Sequence, residues 1–352
     1  MSYELCEKVS ELEPYEPITG NYRIRLDANE SFYSMPENIK REIKNIIDEL
    51  DFNRYPDPMA KKLIDAFSAY YGIDPDNVTA SNGSDEMLYL LSSAMLKRNS
   101  TVIVAEPDFS MYRFYSFLSE NTVFALDKPD SLKIDVDELI KLVNDKNADM
   151  VIFSNPCNPT SLGLDRAAIR KIVESLDDVL VILDEAYMDF WDQSILSEVN
   201  NYDNLIILKT CSKAIGLAAV RFGFAVANKI ITNAIRAAKS PYNNDTVAQT
   251  IVADILSEKE YLKECRDIIV ANTKKLYSDI TEIDKKYGCF EKVYEPCTNF
   301  VFIKTDEFEK IYSFMLENSI AIRKFKGFIR ITAGTEAENA RFINVLERYF
   351  SK

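Results

Sequence analysis

The 352-residue chain contains no histidine. This absence excludes a Ser-His-Asp or Cys-His catalytic unit, and it excludes any metal site that depends on histidine ligands. If the protein moves protons near neutral pH, a lysine, a carboxylate, a tyrosine or a bound cofactor has to do so. We therefore predict no metal site.

Glycine, paired cysteines and long apolar runs are also scarce or missing. The chain has nine glycines, fewer than the roughly 7% usual in proteins, so a glycine here more often marks a backbone requirement. No two of the six cysteines form a C-x-x-C pair, and the acidic N-terminal segment lacks the apolar core of a signal peptide. No apolar run approaches the length of a membrane span. These features predict reduced thiols, a cytoplasmic location and no membrane association.

Positive charge is in short supply, since the formal net charge is −14. This balance disfavours a nucleic-acid partner, because phosphate backbones need a basic face. A small anionic ligand is compatible with it only where arginines cluster against the overall negative field. We expect a small-molecule partner.

Short apolar segments alternate with amphipathic ones over the first two thirds of the chain. This alternation predicts an α/β fold with a mostly parallel sheet that is covered on both faces. After Pro241 the pattern changes to that of a smaller α+β domain, with long helices over 245–285 and a last helix from Glu336. The predicted strands are 101–107, 121–127, 149–156, 179–187, 204–210 and 222–228, followed by 299–305, 320–325 and 328–334.

The stretch LKTCSKAIGLAAVRFG places one lysine, Lys213, just after the apolar strand at 204–210. Thr210 and Ser212 stand beside this lysine, and Arg221 follows it. A lysine at the end of a buried strand is costly unless something pairs with it or bonds to it. The stretch therefore indicates a functional lysine.

Two further stretches have polar residues where ligands bind in open α/β sheets. SNGSDE places Gly83, Ser84 and Asp85 at a helix start, where free N–H groups favour an anion, although a helix cap with nothing bound is the alternative. VLVILDEAYMDF ends a strand with Asp184 and Tyr187. A buried carboxylate needs a cation, either a lysine or a protonated ring nitrogen, and a helix cap is again the alternative. No G-x-G-x-x-G or Walker motif is present, which disfavours nucleotide cofactors.

Five residues are weaker candidates when taken singly. Asn158 follows a strand in a proline-fixed turn, where an amide could bond a ligand oxygen. Phe109 could stack on a flat ring or simply fill the core. Arg323 and Arg330 interrupt apolar strands, which suits a bidentate anion site or a solvent-facing edge. Tyr55 lies in the turn FNRYPDP, for which a surface loop is the simpler interpretation.

Taken together, eight stretches resemble the PLP-dependent aminotransferases of fold type I, in the order and spacing of that family. They are RLDANES, RYPDP, SNGSDE, PDFSMYR, NPCNPT, LDEAYMDF, TCSKAIGLAAVRFG and IRITAGT. Within the family they are most similar to the histidinol-phosphate aminotransferases. The resemblance implies a large PLP-binding domain at 30–245 with a seven-stranded, mostly parallel sheet. It also implies a small domain that combines an N-terminal arm and segment, 1–29, with residues 246–352.

The resemblance implies roles at the cofactor ring. Lys213 is the residue expected to form the Schiff base with PLP. Asp184 would pair with the pyridinium nitrogen, so that the ring acts as an electron sink. Tyr187 and Asn158 would bond the phenolic oxygen of the ring, and Phe109 would stack on the ring.

The resemblance also implies where the cofactor phosphate and the substrate bind. Tyr55 would reach the cofactor phosphate of the neighbouring subunit, which implies a homodimer with shared active sites. Arg323 and Arg330 would bind the anionic end of the substrate, and Asn29 would line the same pocket. The residues expected around the cofactor phosphate within one subunit are Gly83, Ser84, Asp85, Thr210, Ser212 and Arg221.

The implied reaction is amino transfer between L-histidinol phosphate and 2-oxoglutarate, a step of histidine biosynthesis. A threonine-phosphate decarboxylase and an aromatic or broad-range aminotransferase are alternatives with the same fold. A PLP-binding protein without turnover is the alternative from a different class. Two departures lie near the substrate entrance: Ser161 replaces a glycine that is usual in the family, and residues 30–36 differ from the usual pattern. Cys157 and Cys211 are read as small apolar residues of the core.

Overall fold

The computed structural model describes residues 3–10, 12–14 and 18–351. The predicted N-terminal arm includes residues 1, 2, 11 and 15–17, which, like residue 352, lie outside the described residues. The strands are β1 (Ile24–Leu26), β2 (Val78–Ser81), β3 (Thr101–Glu106), β4 (Thr122–Asp127), β5 (Met150–Ser154), β6 (Leu180–Asp184), β7 (Leu205–Thr210), β8 (Gly223–Ala227), β9 (Lys292–Tyr294), β10 (Phe300–Lys304), β11 (Ile320–Phe325) and β12 (Phe328–Thr332). The helices are α1 (Glu7–Ser10), α2 (Glu37–Asp48), α3 (Lys61–Tyr71), α4 (Gly83–Ala94), α5 (Met111–Leu118), α6 (Val136–Asp145), α7 (Arg166–Ser175), α8 (Lys229–Ala238), α9 (Thr246–Ser257), α10 (Lys259–Tyr287), α11 (Phe308–Glu317) and α12 (Glu336–Phe350).

The larger sheet has seven strands in the order β2-β8-β7-β6-β5-β3-β4. Strand β8 runs antiparallel to its neighbours β7 and β2, and the other neighbouring pairs are parallel. The prediction of a seven-stranded, mostly parallel sheet is therefore confirmed. All six strands predicted before Pro241 are present, but β2 was not among them. Its four residues, VTAS, are too few and too polar to give a strand signal of their own.

Both faces of this sheet are buried, as continuous apolar strands require. Val181 and Leu183 of β6 pack into a cluster with residues of α3, α6 and α7 on one face. Ile182, between them, packs into a second cluster with residues of α4 and α8 on the other face. Full burial of one such aliphatic side chain contributes about 1.5–3 kcal/mol. The sheet is thus a rigid support for the loops that leave its strands.

The smaller sheet has five strands in the order β1-β11-β12-β10-β9. Strand β1 pairs in parallel with β11, so a segment from the N-terminal part of the chain completes a sheet built from its C-terminal part. One face of this sheet packs on α10 and α12, where Leu276 and Phe342 meet Ile329 and Ile331 of β12. Because side chains alternate along a strand, Arg330 points to the opposite face.

Helix α10 connects the two hydrophobic cores. Val252 of α9 and Leu262 near the start of α10 belong to the main cluster of the seven-stranded sheet. Leu276, further along α10, belongs to the cluster of the five-stranded sheet. The helix ends at Gly288, whose φ of 58° is the left-handed conformation that suits a helix C-terminus. Among the described residues, no helix is both long and apolar enough to cross a membrane.

Side-chain caps fix the starts of several helices. Asp165 accepts a hydrogen bond from the Ala168 N–H at the start of α7, and Asn228 caps α8 in the same way. Thr335 and Glu338 form a reciprocal capping box at the start of α12. Helix α4 differs, because its N-cap residue, Asn82, makes no side-chain hydrogen bond to the helix. The first N–H groups of α4 are therefore available to a ligand.

Candidate active site

Lys213 lies in the loop that follows β7, at the carboxyl edge of the seven-stranded sheet. Its Nζ donates a 3.1 Å hydrogen bond to the Ala28 carbonyl, just after β1 of the smaller sheet. The same Nζ lies 5.7 Å from the centre of the Tyr187 ring. The lysine that the sequence singled out is thus placed where the two sheets face each other.

Asp184 is the last residue of β6 and is only 4% exposed. The Tyr112 hydroxyl donates to one carboxylate oxygen at 2.8 Å, and the Ala186 N–H donates to the other at 3.0 Å. Burial raises the pKa of Asp184 to about 6, although both hydrogen bonds act to lower it. Within the described ranges no lysine or arginine lies within ion-pair distance of this carboxylate. Lys209, the nearby buried lysine, pairs instead with Asp189 at 2.9 Å.

The start of α4 forms a cradle with the loop after β7. Gly83 has a φ of 73°, and a Cβ on it would lie 2.8 Å from the Arg221 guanidinium. A Cβ on Gly223 would lie 2.5 Å from the Ser84 backbone nitrogen. Arg221 donates to the Ser212 hydroxyl at 3.2 Å and to the Asp85 carboxylate at 3.2 Å. Two glycines thus keep side chains out of a space bordered by free N–H groups, a hydroxyl and a guanidinium.

Tyr187 and Asn29 meet beside Lys213, although they are 158 positions apart. The Asn29 amide donates a 2.8 Å hydrogen bond to the Tyr187 hydroxyl. Asn29 has a left-handed backbone, with a φ of 54°, and its amide oxygen accepts a hydrogen bond from the Thr332 hydroxyl at 3.0 Å. Asn29, three residues after the end of β1, is therefore held by β12 and in turn orients Tyr187.

Arg323 and Arg330 are directly opposite each other in the antiparallel pair β11–β12. Arg330 is buried, and its guanidinium donates to the Asn158 side-chain oxygen and, at 2.7 Å, to the Asp27 carbonyl. Arg323 is partly exposed. Two guanidinium groups on facing residues of one sheet form a local positive region in an acidic protein, and this suits an anion.

Three residues assigned from the sequence stand at the margins of this arrangement. Phe109 is partly buried, and its ring meets Tyr112 edge-on with the centroids 5.6 Å apart. Thr210 ends β7, and its hydroxyl accepts the Ser212 N–H at 3.1 Å. Tyr55 is 81% exposed and stacks on Tyr242. The chain's own fold leaves Tyr55 on the surface rather than in the site.

These residues fit a bound pyridoxal phosphate. The cradle at α4 offers backbone N–H groups, a hydroxyl and a guanidinium, which are the donors that a phosphate group requires. The buried Asp184 carboxylate lacks a cationic partner among the described residues, and a protonated ring nitrogen would supply one. Lys213 lies on the same edge of the sheet. The part of the chain that the structure describes contains no group of three or more metal-ligating side chains that could hold a metal ion.

Two contributors to the site were not found from the sequence. The three-residue spacing of Phe109 and Tyr112 predicts that their rings meet, but the contact that brings Tyr112 into the site is its hydrogen bond to Asp184, 72 positions away. Ser161 was noted only as a departure, whereas its hydroxyl contacts Thr298 and the Phe300 carbonyl in the smaller sheet. Neither contact has a local sequence signal, because each joins distant parts of the chain.

The family model described as aminotransferase class I and II matches residues 23–346. The chain belongs to this family, and the family and the fold type predicted from the motifs are confirmed. The histidinol-phosphate aminotransferase of Clostridium novyi strain NT is 38% identical over 353 residues, which cover 99% of this chain and 98% of that protein.

Two solved structures show the same fold. The histidinol-phosphate aminotransferase of Sinorhizobium meliloti in complex with pyridoxal-5′-phosphate has a TM-score of 0.87 at 20% identity, with 100% of this chain and 98% of that chain covered. The L-threonine-O-3-phosphate decarboxylase of Porphyromonas gingivalis has a TM-score of 0.79 at 21% identity, with 94% of this chain and 100% of that chain covered. The fold is therefore shared by proteins of both names.

Proposed function

We propose that the protein is a PLP-dependent aminotransferase that moves the amino group between L-histidinol phosphate and 2-oxoglutarate, in histidine biosynthesis. The observation that carries the proposal is the 38% identity, over the whole length of both chains, to a relative named for this reaction. The geometry supports it, because a phosphate cradle, a lysine and a buried carboxylate that no described cation pairs with share one edge of the sheet.

When bound, PLP supplies a ring that withdraws electrons from the substrate carbon. Asp184 would accept a hydrogen bond from the ring nitrogen and favour its protonated form, because a buried carboxylate is stabilised by a neighbouring positive charge. Lys213 would hold the cofactor covalently until the substrate amine displaces it, and the freed Nζ would then take up the proton that leaves the substrate carbon. Tyr187 and Asn158 would bond the ring oxygen, and Phe109 would cover the ring. Each of these roles is part of the proposal.

The cofactor phosphate is held in the cradle, which fixes the ring at the sheet edge. Arg221 and Ser212 supply side-chain donors, and the start of α4 supplies backbone donors with the positive end of the helix dipole. The carboxylate of Asp85 orients Arg221 through the 3.2 Å hydrogen bond. The proposed cofactor-phosphate residues of this subunit are Gly83, Ser84, Asp85, Thr210, Ser212 and Arg221.

Arg323 and Arg330 would bind the phosphate of the substrate, with Asn29 lining the pocket. A guanidinium pair also fits a carboxylate, and this is how the same site would accept 2-oxoglutarate in the second half of the reaction. A decarboxylase of threonine phosphate would use the same phosphate contacts, and the fold is common to both classes. The full-length relatedness in sequence favours the aminotransferase.

We further propose that the protein is a cytoplasmic homodimer in which Tyr55 reaches the cofactor phosphate of the other subunit. The exposure of Tyr55, which stacks on Tyr242 at the surface, supports this arrangement because it leaves the side chain free to contact a second subunit. The proposed division of the chain is 1–29 and 246–352 for the small domain and 30–245 for the PLP-binding domain.

The test of the proposed function is a single half-reaction. The purified protein is loaded with PLP, freed of excess cofactor and mixed with L-histidinol phosphate in the absence of any keto acid. Stoichiometric pyridoxamine 5′-phosphate, measured by chromatography after acid precipitation, is the expected product. Carbon dioxide release from L-threonine O-3-phosphate, or conversion only by aromatic amino acids, would contradict the proposed substrate. Absence of any bound PLP would contradict the whole assignment.

A further inference from the structure

Ser161 lies in the turn between β5 and α7 with a backbone φ of 63° and a fully buried side chain. A residue with a Cβ seldom adopts this left-handed conformation, and it persists only where the surroundings fix it. Its N–H donates to the Cys157 carbonyl at 2.8 Å, so it closes the turn that carries Asn158. The contacts of its hydroxyl show what else holds it.

The hydroxyl joins this turn to the five-stranded sheet. It donates a 3.1 Å hydrogen bond to the Phe300 carbonyl and pairs with the hydroxyl of Thr298. The Ser161 carbonyl accepts the N–H of Cys297 at 2.9 Å. A single residue that follows a strand of the larger sheet is thus bonded to three residues at the start of β10.

Phe300 contacts both Ser161 and two residues of the candidate site. Its ring meets the Tyr187 ring edge-on, with the centroids 5.3 Å apart. The guanidinium of Arg330 lies 5.2 Å from the centre of the same ring and donates to Asn158. Asn158 and Ser161 belong to one turn. The contacts therefore form a closed circuit. The Ser161 hydroxyl bonds to Phe300, the Phe300 ring packs against the Arg330 guanidinium, and Arg330 donates to Asn158, which lies in the same turn as Ser161.

We propose that Ser161 is a positioning residue for the substrate-anion site, because its hydroxyl fixes the turn and Phe300 in the arrangement that orients Arg330. The inference rests on the proposed function, which makes Arg323 and Arg330 that site. An anion held by a planar guanidinium depends on the direction of its N–H groups, so a small rotation of Arg330 weakens binding. The cofactor-phosphate cradle lies on another loop, outside this circuit. Asn158 and Tyr187, which the circuit reaches, would contact only the cofactor ring, so PLP affinity should depend on Ser161 less than anion affinity does.

Two substitutions weaken the hold of Ser161 on Phe300 from opposite sides. Ser161→Ala keeps the Cβ and the turn but removes both hydroxyl contacts. Thr298→Val keeps the shape of the side chain and the Ser161–Phe300 bond, but it removes the contact with Ser161 and the Thr298 hydrogen bonds to the Phe300 backbone. Ser68→Ala is the matched control, since Ser68 is also a buried serine, in α3, and its hydroxyl has no hydrogen-bond partner among the described residues. All proteins are studied as the PLP-loaded holoenzyme.

Three quantities are measured: the KM and kcat for L-histidinol phosphate, the dissociation constant of inorganic phosphate by calorimetry, and that of PLP by equilibrium dialysis. We expect Ser161→Ala and Thr298→Val each to raise the KM and the phosphate dissociation constant about tenfold, with kcat and PLP affinity changed less than about threefold. The Ser68→Ala control should match the wild type in all three.

Wild-type phosphate affinity in both variants would overturn the inference, even if their melting temperatures fall, because the hydroxyl would then be structural only. Equal loss of PLP and phosphate affinity would overturn it as well. If one variant does not fold, the other decides. A wild type that binds phosphate but does not turn over L-histidinol phosphate would remove the proposed substrate, and the phosphate measurements would still test Ser161.

Discussion

The hydroxyl of Tyr112 donates a 2.8 Å hydrogen bond to the buried carboxylate of Asp184, and no cation shares that carboxylate within the described residues. The tyrosine lies on α5, and its ring also meets Phe109 edge-on. It therefore connects the residue proposed to cover the cofactor ring with the residue proposed to hold the ring nitrogen. The hydroxyl favours the ionised form of Asp184, which is the form that a protonated ring nitrogen needs.

Tyr112→Phe should weaken PLP binding in a pH-dependent manner. Loss of the donor raises the pKa of Asp184 further above its present value of about 6, so the protonated carboxyl competes with cofactor binding over a wider range. We expect the PLP dissociation constant to rise about tenfold near pH 6.5 and less near pH 8.5, where the carboxyl ionises in both proteins. Equilibrium dialysis at both pH values measures this effect.

The control for this experiment is Tyr202→Phe, which removes a hydroxyl that bonds Glu174 at the surface. It should leave the PLP dissociation constant unchanged at either pH. If Tyr112→Phe shows the same loss of affinity at both pH values, the hydroxyl does not act through the ionisation of Asp184.

Lys213→Ala should abolish turnover without unfolding the protein. The amine is the proposed covalent anchor and proton carrier, and its hydrogen bond to the Ala28 carbonyl contributes only modestly to stability. We expect the rate to fall by about a thousandfold or more, with an unchanged circular dichroism spectrum. Lys274→Ala, at an exposed position on α10, is the control and should keep full activity. Near wild-type transamination by Lys213→Ala would remove the lysine from the mechanism.

Asp184→Asn should separate cofactor binding from catalysis. The amide has almost the same shape as the carboxylate but no charge to stabilise a protonated ring nitrogen. The α4 cradle and Lys213 remain, so we expect PLP to bind more weakly but still to saturate the protein, while kcat at saturating PLP falls by about a hundredfold to a thousandfold. Cofactor content and kcat are measured together, with the exposed Asp203→Asn as the control. An unchanged kcat would show that Asp184 does not contact the ring nitrogen as proposed.

A mixing experiment tests the proposal that Tyr55 serves the other subunit. Lys213→Ala and Tyr55→Ala are each expected to be poorly active alone, because each damages both sites of its homodimer. Unfolding and refolding them together forms mixed dimers, in which one site combines the intact Lys213 with the intact Tyr55. Statistical mixing predicts recovery of about a quarter of the wild-type activity. No recovery, from a mixture shown to contain mixed dimers, would mean that Tyr55 acts within its own subunit or not at all.

Glu185 should make the protein less stable as the pH rises. Its carboxyl is fully buried, accepts a hydrogen bond from Ser194 and lies 3.9 Å from the Lys209 ammonium. Burial raises its pKa to about 7, although Lys209 and the hydrogen bonds act to lower it. The folded state therefore holds a proton that the unfolded chain releases near 4.5, and the stability that this proton provides is lost as the pH rises through about 7.

Glu185→Gln removes this titration. We expect it to be more stable than the wild type near pH 8, by a margin on the order of 2 kcal/mol, and to lose that advantage near pH 4.5. Lys209 keeps Asp189 as its partner at 2.9 Å in the variant. Urea denaturation at the two pH values gives the difference. An equal difference at both pH values would indicate that Glu185 does not titrate in the folded protein.

Much of the fold could be predicted from the sequence, because the information is local. The strands of the seven-stranded sheet are continuous apolar runs, and burial on both faces gives that pattern without reference to the partner strands. Strand β2 is not predicted from the sequence, because its four residues include two buried polar side chains, Thr79 and Ser81. It forms a strand because its backbone pairs with the neighbouring strand β8.

The residues and their order along the chain already limit the chemistry that the protein can use. The sequence lacks histidine, and it places Lys213, Asp184 and the start of α4 just after or before strands, so that the topology of a parallel sheet brings them to one edge. The partners of these residues are set by the three-dimensional fold. Tyr187 meets Asn29, Arg330 meets Asn158 and Ser161 meets Thr298 across separations of 158, 172 and 137 positions. Such contacts depend on how the two sheets dock, and docking is set by the packing of whole faces rather than by any short stretch of the chain.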